Sequence, residues 1–361
     1  MKTPFKVIIM GTLFSCIHRD IHFKEYVLDA HGPEWCWAKA AGDVNGDHVD
    51  DLLIGGYNSG GLWIYLSPDH AKKMIVNWQG VKTDAEIVDM DHDGDRDIVC
   101  LFDSAIFWFS NPGWEPHFID SLVGHDLEAA DLDGDGLIDL AARDQGEFNS
   151  RGDTLFLLKR MSMDQWETKK IMIPNGEGLK VSDLNGDGKP DLIVNGTWLE
   201  NTGMIDRWES HVFANSWTWK NTYIDAGYIN GDRRKDIVMS PSELAGNFYR
   251  LSWFEQGKDP KAPWTEHKVV DSIESVIHFV GLADFNLDGK EDIAYAEMKQ
   301  GAYPHEVVVM LQGEDFWIKK VISTGGSHSM RITDIDGDGD PDLYGANWQE
   351  DTVKYWINDT R

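Results

Sequence analysis

Positive charge is scarce in this chain. Lys and Arg number 33 against 62 Asp and Glu, for a net charge of −29 at neutral pH over 361 residues. That balance excludes nucleic acid and an anionic membrane surface as main partners, because both demand concentrated basic side chains. Cysteine is nearly lacking, with three residues; if Cys16 is spent as an anchor, Cys36 and Cys100 leave a single possible pair, which is no disulfide framework. No apolar run reaches the roughly 20 residues of a membrane span. Also missing are G-x-S-x-G, a phosphate-binding P-loop and a dinucleotide fingerprint. What is plentiful is aspartate, together with 16 Trp in a chain that is 42% hydrophobic, too apolar to be disordered.

The opening MKTPFKVIIMGTLFSC places Lys2 and Lys6 before an apolar stretch from Val7 to Phe14 and ends at Ser15-Cys16. This is the shape of a signal peptide, and its end resembles a bacterial lipobox, with cleavage before a lipid-bearing cysteine. The expected organisation is a lipoprotein-type signal peptide over 1–16 with Cys16 as anchor, a short linker over 17–20, and one body over 21–361. The protein is then exported, as a monomeric cell-envelope lipoprotein of the outer membrane or periplasm or as a secreted protein, touching the membrane only through the lipid.

Seven acidic segments recur along the body: DVNGDHVDD from Asp43, DMDHDGDRD from Asp89, DLDGDGLID from Asp131, DLNGDGKPD from Asp183, YINGDRRKD from Tyr228, DFNLDGKED from Asp284 and DIDGDGDPD from Asp334. Their period of about 48 residues is that of a propeller blade. Carboxylates or amides at positions 1, 3, 5 and 9, with Gly at 4 or 6, supply hard oxygen ligands and a tight bend, the chemistry of a calcium loop. Six loops are complete: Asp43, Asn45, Asp47 and Asp51; Asp89, Asp91, Asp93 and Asp97; Asp131, Asp133, Asp135 and Asp139; Asp183, Asn185, Asp187 and Asp191; Asp284, Asn286, Asp288 and Asp292; Asp334, Asp336, Asp338 and Asp342. The fifth has Tyr228 at its first position and Arg233 and Arg234 beside it, so it is expected to be empty or weak. Strand-like runs such as DLLIGG and DIVCLF follow each loop, which makes the loops turns between strands. About six structural calcium ions are the expected cofactor.

Each repeat also carries an outer strand resembling W-E-x-H, as at Trp114 to His117, Trp208 to His211 and Trp264 to His267. The last repeat lacks one, and His22 to Leu28 matches it, so the N-terminal strand is expected to close the last blade. The fold expected is all-β: a seven-bladed β-propeller with calcium-binding turns on one face. On these loops and this period the chain resembles the FG-GAP or VCBS-repeat β-propellers, a group that includes integrin α-chain heads and many secreted bacterial proteins.

If the acidic turns lie on one face, residues at equal offset before them converge on the other. His125, His278 and His328 all sit six residues before the first Asp of their turns, and His31 lies in the corresponding loop of the first repeat. They are candidate catalytic residues or, alternatively, a ring of capping groups at strand starts; a transition metal on His125, His278 and His328 is a further option. Off-repeat indoles at Trp35, Trp37, Trp217, Trp219, Trp198 and Trp348 fall near the same loops and suit the apolar faces of sugar rings. Packing between blades is the competing explanation. Arg143, Lys180 and Arg331, with Glu297 and His305, are further substrate-binding candidates, against a reading of the cations as channel ion pairs. Histidines, a cation and an aromatic platform fit proton abstraction beside a carboxylate followed by β-elimination. The repeats also look similar to the propeller of fungal aldos-2-ulose dehydratase, a resemblance that implies a carbohydrate substrate and a sugar lyase or dehydratase. A non-catalytic glycan-binding lipoprotein and a protein-interaction scaffold are the alternatives.

Overall fold

The computed structural model describes residues 20–145, 151–274 and 276–360. The signal peptide, Cys16 and most of the linker therefore lie outside the described residues. The described chain forms seven antiparallel sheets of four strands and no helix. Blade 1 runs Glu34–Gly42, Asp51–Ser59, Leu62–Leu66 and Ala71–Val76 from the axis outward. The innermost strands of blades 2 to 7 are Val81–Val88, Asp126–Ala130, Lys180–Ser182, Thr222–Gly227, Ile277–Ala283 and His328–Thr333. Blade 7 continues through Asp342–Ala346 and Val353–Asn358, and its outer strand is the N-terminal Phe23–Asp29, paired Phe23 to Asn358 and Val27 to Lys354. The ring is closed by strand exchange between the two ends, as the repeat pattern implied.

Burial explains the sequence pattern of each strand. Second strands such as Asp97–Phe102, Asp236–Pro241 and Asp292–Glu297 are buried at every residue, because neighbouring blades cover both faces, and so they read as continuous apolar runs. Outer strands such as Glu115–Asp120 are largely exposed and polar. Histidines of the outer strands pack on third-strand indoles, His117 on Trp108, His211 on Trp198 and His267 on Trp253, with ring centroids 4.5, 4.7 and 4.3 Å apart.

The acidic turns are built around their ninth residue. Asp51, Asp97, Asp139, Asp191, Asp236, Asp292 and Asp342 are fully buried. In blade 4, Asp191 accepts the N–H of Leu184 inside the turn (2.9 Å) and the N–H of Asn201 on the third strand (2.8 Å). The other six repeat this pair of bonds. The residue so anchored then reaches the preceding blade. Asn111, Asn201, Gln256, Gln312 and Asn358 donate side-chain amides to the carbonyls of Val44, Leu132, Leu184, Ile229 and Phe285 at 2.7–2.9 Å, and Arg160 donates to Met90. Six junctions carry this latch. At the seventh, between blades 7 and 1, the equivalent residue is Ser67, whose hydroxyl turns to Asp47 (2.7 Å), and Tyr344 of blade 7 donates to Leu53 of blade 1 instead (2.8 Å).

Removing the acceptor strands two buried donors, and removing the latch strands two carbonyls, each worth about 1–3 kcal/mol. Asp191→Ala is therefore expected to cost more stability than Asn201→Ala, and both more than Ser67→Ala, in urea-unfolding midpoints at fixed calcium. Equal midpoints for all three variants would refute the latch.

Candidate functional site at the channel mouth

The innermost strands surround a cavity of about 430 Å³ on the propeller axis. His125, Glu177, Lys180, Tyr223 and Arg331 all line it. At the end remote from the acidic turns, His125, His278 and His328 come together, with ring centroids 6.4 Å apart for the first two and 4.3 Å for the last two. His31 is not brought in; its side chain is 91% exposed and faces Asp351 at 3.5 Å.

The register that aligns the histidines also holds a carboxylate. In blade 4 the residue six positions before the turn is Glu177, and its carboxylate sits between the imidazoles: Oε1 is 3.8 Å from His125 Nε2 and Oε2 is 3.9 Å from His278 Nε2. Glu177 is 3% exposed, and neither carboxylate oxygen has a hydrogen-bond partner among the described residues. Flanking glycines permit its position. Gly176 and Gly178 have φ of 145° and 104°, and a Cβ on either would lie within 2.2 Å of the Lys220 or Thr222 carbonyl, so only Gly-Glu-Gly lets this segment press against blade 5. The same offset holds Trp37, Thr83 and Thr222 in blades 1, 2 and 5.

Electrostatics differentiate the cluster. His125 Nδ1 bonds Asp126 (3.0 Å), whose second oxygen accepts the Gly178 N–H (3.0 Å). Burial draws His125 down, but the Glu177 and Asp126 carboxylates outweigh it and carry the imidazole up to about 9. Burial, then the neighbouring His125, push His278 down to about 3, and burial holds His328 well below its ordinary range. Burial raises Glu177 to about 7 against the pull of His125. His328 Nδ1 also meets the Ser329 hydroxyl (2.9 Å), and Tyr223 stands edge-on to His278 at 5.0 Å.

Deeper in the channel, Arg331 pairs with Asp84 (2.7 Å) and Lys180 with Glu128 (3.4 Å). Glu86 lies among these groups; burial, with Glu128 and Asp84 close by, pushes it up to about 8 against the pull of Arg331 and Lys180.

The remaining candidates divide. Arg143 is wholly buried, and its guanidinium donates to the carbonyls of Gly152, Pro174 and Gly178, so it braces the mouth and has no face for a ligand. Trp198 is in the inter-blade core on the strand Thr197–Met204 rather than on a loop, because Asn195-Gly196 reverses the chain in two residues. Trp217 is likewise buried, its indole N–H on Thr222 (2.9 Å), while half-buried Trp219 lies against it beneath the Arg250 guanidinium. Trp35 and Trp37 are half-buried and stack with Tyr57 at 6.0 and 4.0 Å. Trp348 is half-buried in the turn after Ala346. Glu297 is buried and accepts the Glu306 N–H (2.9 Å); His305 bonds the Gly301 carbonyl (3.0 Å).

On the opposite face, three acidic turns bring carboxylate oxygens of positions 1, 3 and 9 within 4.8 Å: Asp89, Asp91 and Asp97; Asp131, Asp133 and Asp139; Asp334, Asp336 and Asp342. Lys159 already reaches Asp133 and Asp135 in the third turn, and Arg234 reaches Asp232 in the fifth.

Comparison with known proteins agrees with the architecture. Residues 284–345 match the FG-GAP-like repeat family. No curated protein matches the chain. Among solved structures, BBS1N in complex with ARL6DN, soaked with lead, is similar over 94% of this chain and 96% of that chain, at 10% identity and a TM-score of 0.59. The mercury-soaked crystal of the same complex gives 11% identity, the same coverage and 0.57. At such identity the likeness is one of fold alone.

A carboxyl whose pKa is raised on folding is favoured in its protonated form, so its contribution is present near pH 4.5 and is lost as pH climbs toward 8. Wild type is therefore expected to lose thermal stability between pH 5 and 8.5, and Glu86→Gln to flatten that slope and to exceed wild type at pH 8.5. A parallel slope in the variant would remove Glu86 as its source.

Proposed function

We propose that the protein acts on an anionic carbohydrate at the channel mouth, by proton abstraction and β-elimination. The observation that carries this reading is the convergence of three imidazoles and a buried carboxylate, without a hydrogen bond among the described residues, over a cavity whose wall holds Lys180 and Arg331. Titratable groups gathered in a concave site are a mark of function. A carboxylate-bearing sugar entering the cavity competes with Asp84 and Glu128 for Arg331 and Lys180, whose charge then stabilises the enolate-like intermediate, while one imidazole takes the α-proton and another returns a proton to the leaving oxygen. Half-buried Trp35 offers a ring face to a neighbouring sugar unit, whereas Trp37 and Trp219 already stack on Tyr57 and Arg250. Expected with uronate oligosaccharides or keto-sugars is ultraviolet absorbance from a new double bond, reduced at least 100-fold in His328→Ala. Silence across the panel, with glycan binding that survives this substitution, would replace the lyase with a glycan-binding protein.

Calcium fits the opposite face by donor chemistry: each complete turn offers hard oxygens alone, at positions 1, 3 and 5 around a Gly bend. It would hold the turns folded, without a part in the reaction. The third turn is the weakest of the six on this reading, because Lys159 competes for Asp133 and Asp135. Chelation is expected to lower the melting temperature by 10 °C or more, restored by calcium and not by magnesium; an unchanged melt would remove the ion from the account.

A second reading, a protein-interaction propeller, draws on the two solved complexes and on the exposure of Leu244 (58%), Phe248 (70%) and Tyr303 (80%) on loops that follow second strands. Its mark would be partner binding indifferent to the channel histidines.

A further inference from the structure

We propose that the seam between blades 7 and 1 holds a binding site for an acetamido sugar, on the acidic-turn face and remote from the channel mouth. The seam contains a cavity of about 430 Å³ whose lining includes Tyr26, Val49, Pro68, His70, Ile335 and Tyr355. Pockets for small ligands run from about 300 to 1,000 Å³. Its position follows from the latch. In blade 2 Asn111-Pro112 follows the third strand, and the Asn111 amide reaches the carbonyl of Val44, second residue of the preceding turn. Blade 1 carries Ser67-Pro68 at the same place, held by the same backbone bond to the ninth aspartate, 2.6 Å for Ser67 on Asp51 and 2.8 Å for Asn111 on Asp97. An amide there would reach the carbonyl of Ile335, second residue of the seventh turn. The serine hydroxyl turns to Asp47 instead, and no other side-chain amide among the described residues takes its place.

The walls decide what brings the missing donor. Tyr26 and Tyr355 stack at 5.1 Å, His70 stands edge-on to Tyr355 at 5.2 Å, and Val49, Ile335 and Ile357 supply aliphatic surface. Aromatic surface suits the apolar face of a pyranose ring, with polar groups left for its edge. An acetamido group then answers the chemistry of the seam. Its N–H donates to the Ile335 carbonyl, as five side-chain amides already do at equivalent carbonyls, and its methyl meets the aliphatic surface. Its carbonyl accepts from His70. Burial draws that imidazole below its ordinary pKa against the pull of Asp69, so the ring is neutral and keeps one N–H to give. His70 Nδ1 is enclosed and has no hydrogen-bond partner among the described residues, a cost that a bound amide relieves. Exposed Lys24 and Asp359 remain at the edge of the cavity for hydroxyl groups.

The site stands without the lyase reading. If that reading also holds, the seam anchors a second point of a mixed glycan on the face opposite the reaction.

The full-length chain, saturated with calcium, would be titrated with N-acetylglucosamine, N-acetylgalactosamine, glucose and acetamide, by calorimetry and by saturation-transfer NMR. Expected is one site per chain for an acetamido sugar, with the strongest transfer to the acetyl methyl, and glucose and acetamide each about 10-fold weaker or worse, as the loss of one hydrogen bond or of the ring contact implies. Ser67→Asn should build the seventh latch, raising the urea midpoint and weakening sugar binding at least 10-fold. His70→Ala should weaken binding by a similar factor without raising the midpoint, and it carries the test alone if the Ser67→Asn midpoint does not move. No binding of either acetamido sugar by wild type, glucose or acetamide bound as tightly, or binding unchanged in a stabilised Ser67→Asn or in folded His70→Ala, would overturn the proposal. Double-bond formation is not read here, so a protein that binds acetamido sugars at the seam and eliminates nothing would sink the lyase alone.

Discussion

A buried carboxylate accepting two backbone N–H groups is the interaction on which this propeller rests. The ninth residue of each acidic turn joins the turn to the third strand of its own blade, and in six of the seven blades the residue it fixes there reaches back to the blade before. One side chain thereby sets the turn, the width of the blade and the spacing to its neighbour. The inner strands contribute a smaller version of the same device: Asp84, Asp126 and Asp225 accept N–H groups of Leu127, Gly178 and Leu282 on the following blades. Aspartate is plentiful because the ring is sewn with it, at both levels of the channel.

The architecture was legible because it is written seven times. Period, turn chemistry and the orphan outer strand at the N-terminus each survive variation in any one copy, and their sum defines ring, blade number and closure. Burial of the second strands on both faces also appears directly as apolar runs. The channel site was legible only in part, since it is the sum of seven positions that differ. Offset from the turns found His125, His278 and His328, but Glu177 shares their offset and differs in chemistry, so a search by residue type passed over it. Geometry, by contrast, places it between two of them.

Indole side chains illustrate the limit from the other side. Trp198 and Trp217 fall outside the aromatic pattern of the repeat, yet both pack between blades 4 and 5, where third strand and entry loop meet. A tryptophan in a propeller has two large surfaces to choose from, the channel face and the inter-blade wall, and linear sequence carries no sign of which. Arg143 is the polar counterpart. A lone cation in an acidic chain reads as a ligand for an anion, but backbone carbonyls gathered at a blade corner are an acceptor set that sequence does not display.

Closure by Phe23–Asp29 couples the order of synthesis to the order of assembly. The strand is synthesised more than 300 residues ahead of the one it pairs with, so it waits with an open edge until that partner is made. Contacts of such separation are slow to form and expose unpaired strands to other chains. The burden on this segment is visible in its composition: Lys24 and Glu25 interrupt the apolar positions. A strand that must remain single for most of its early life is thus kept poor at joining any sheet but its own.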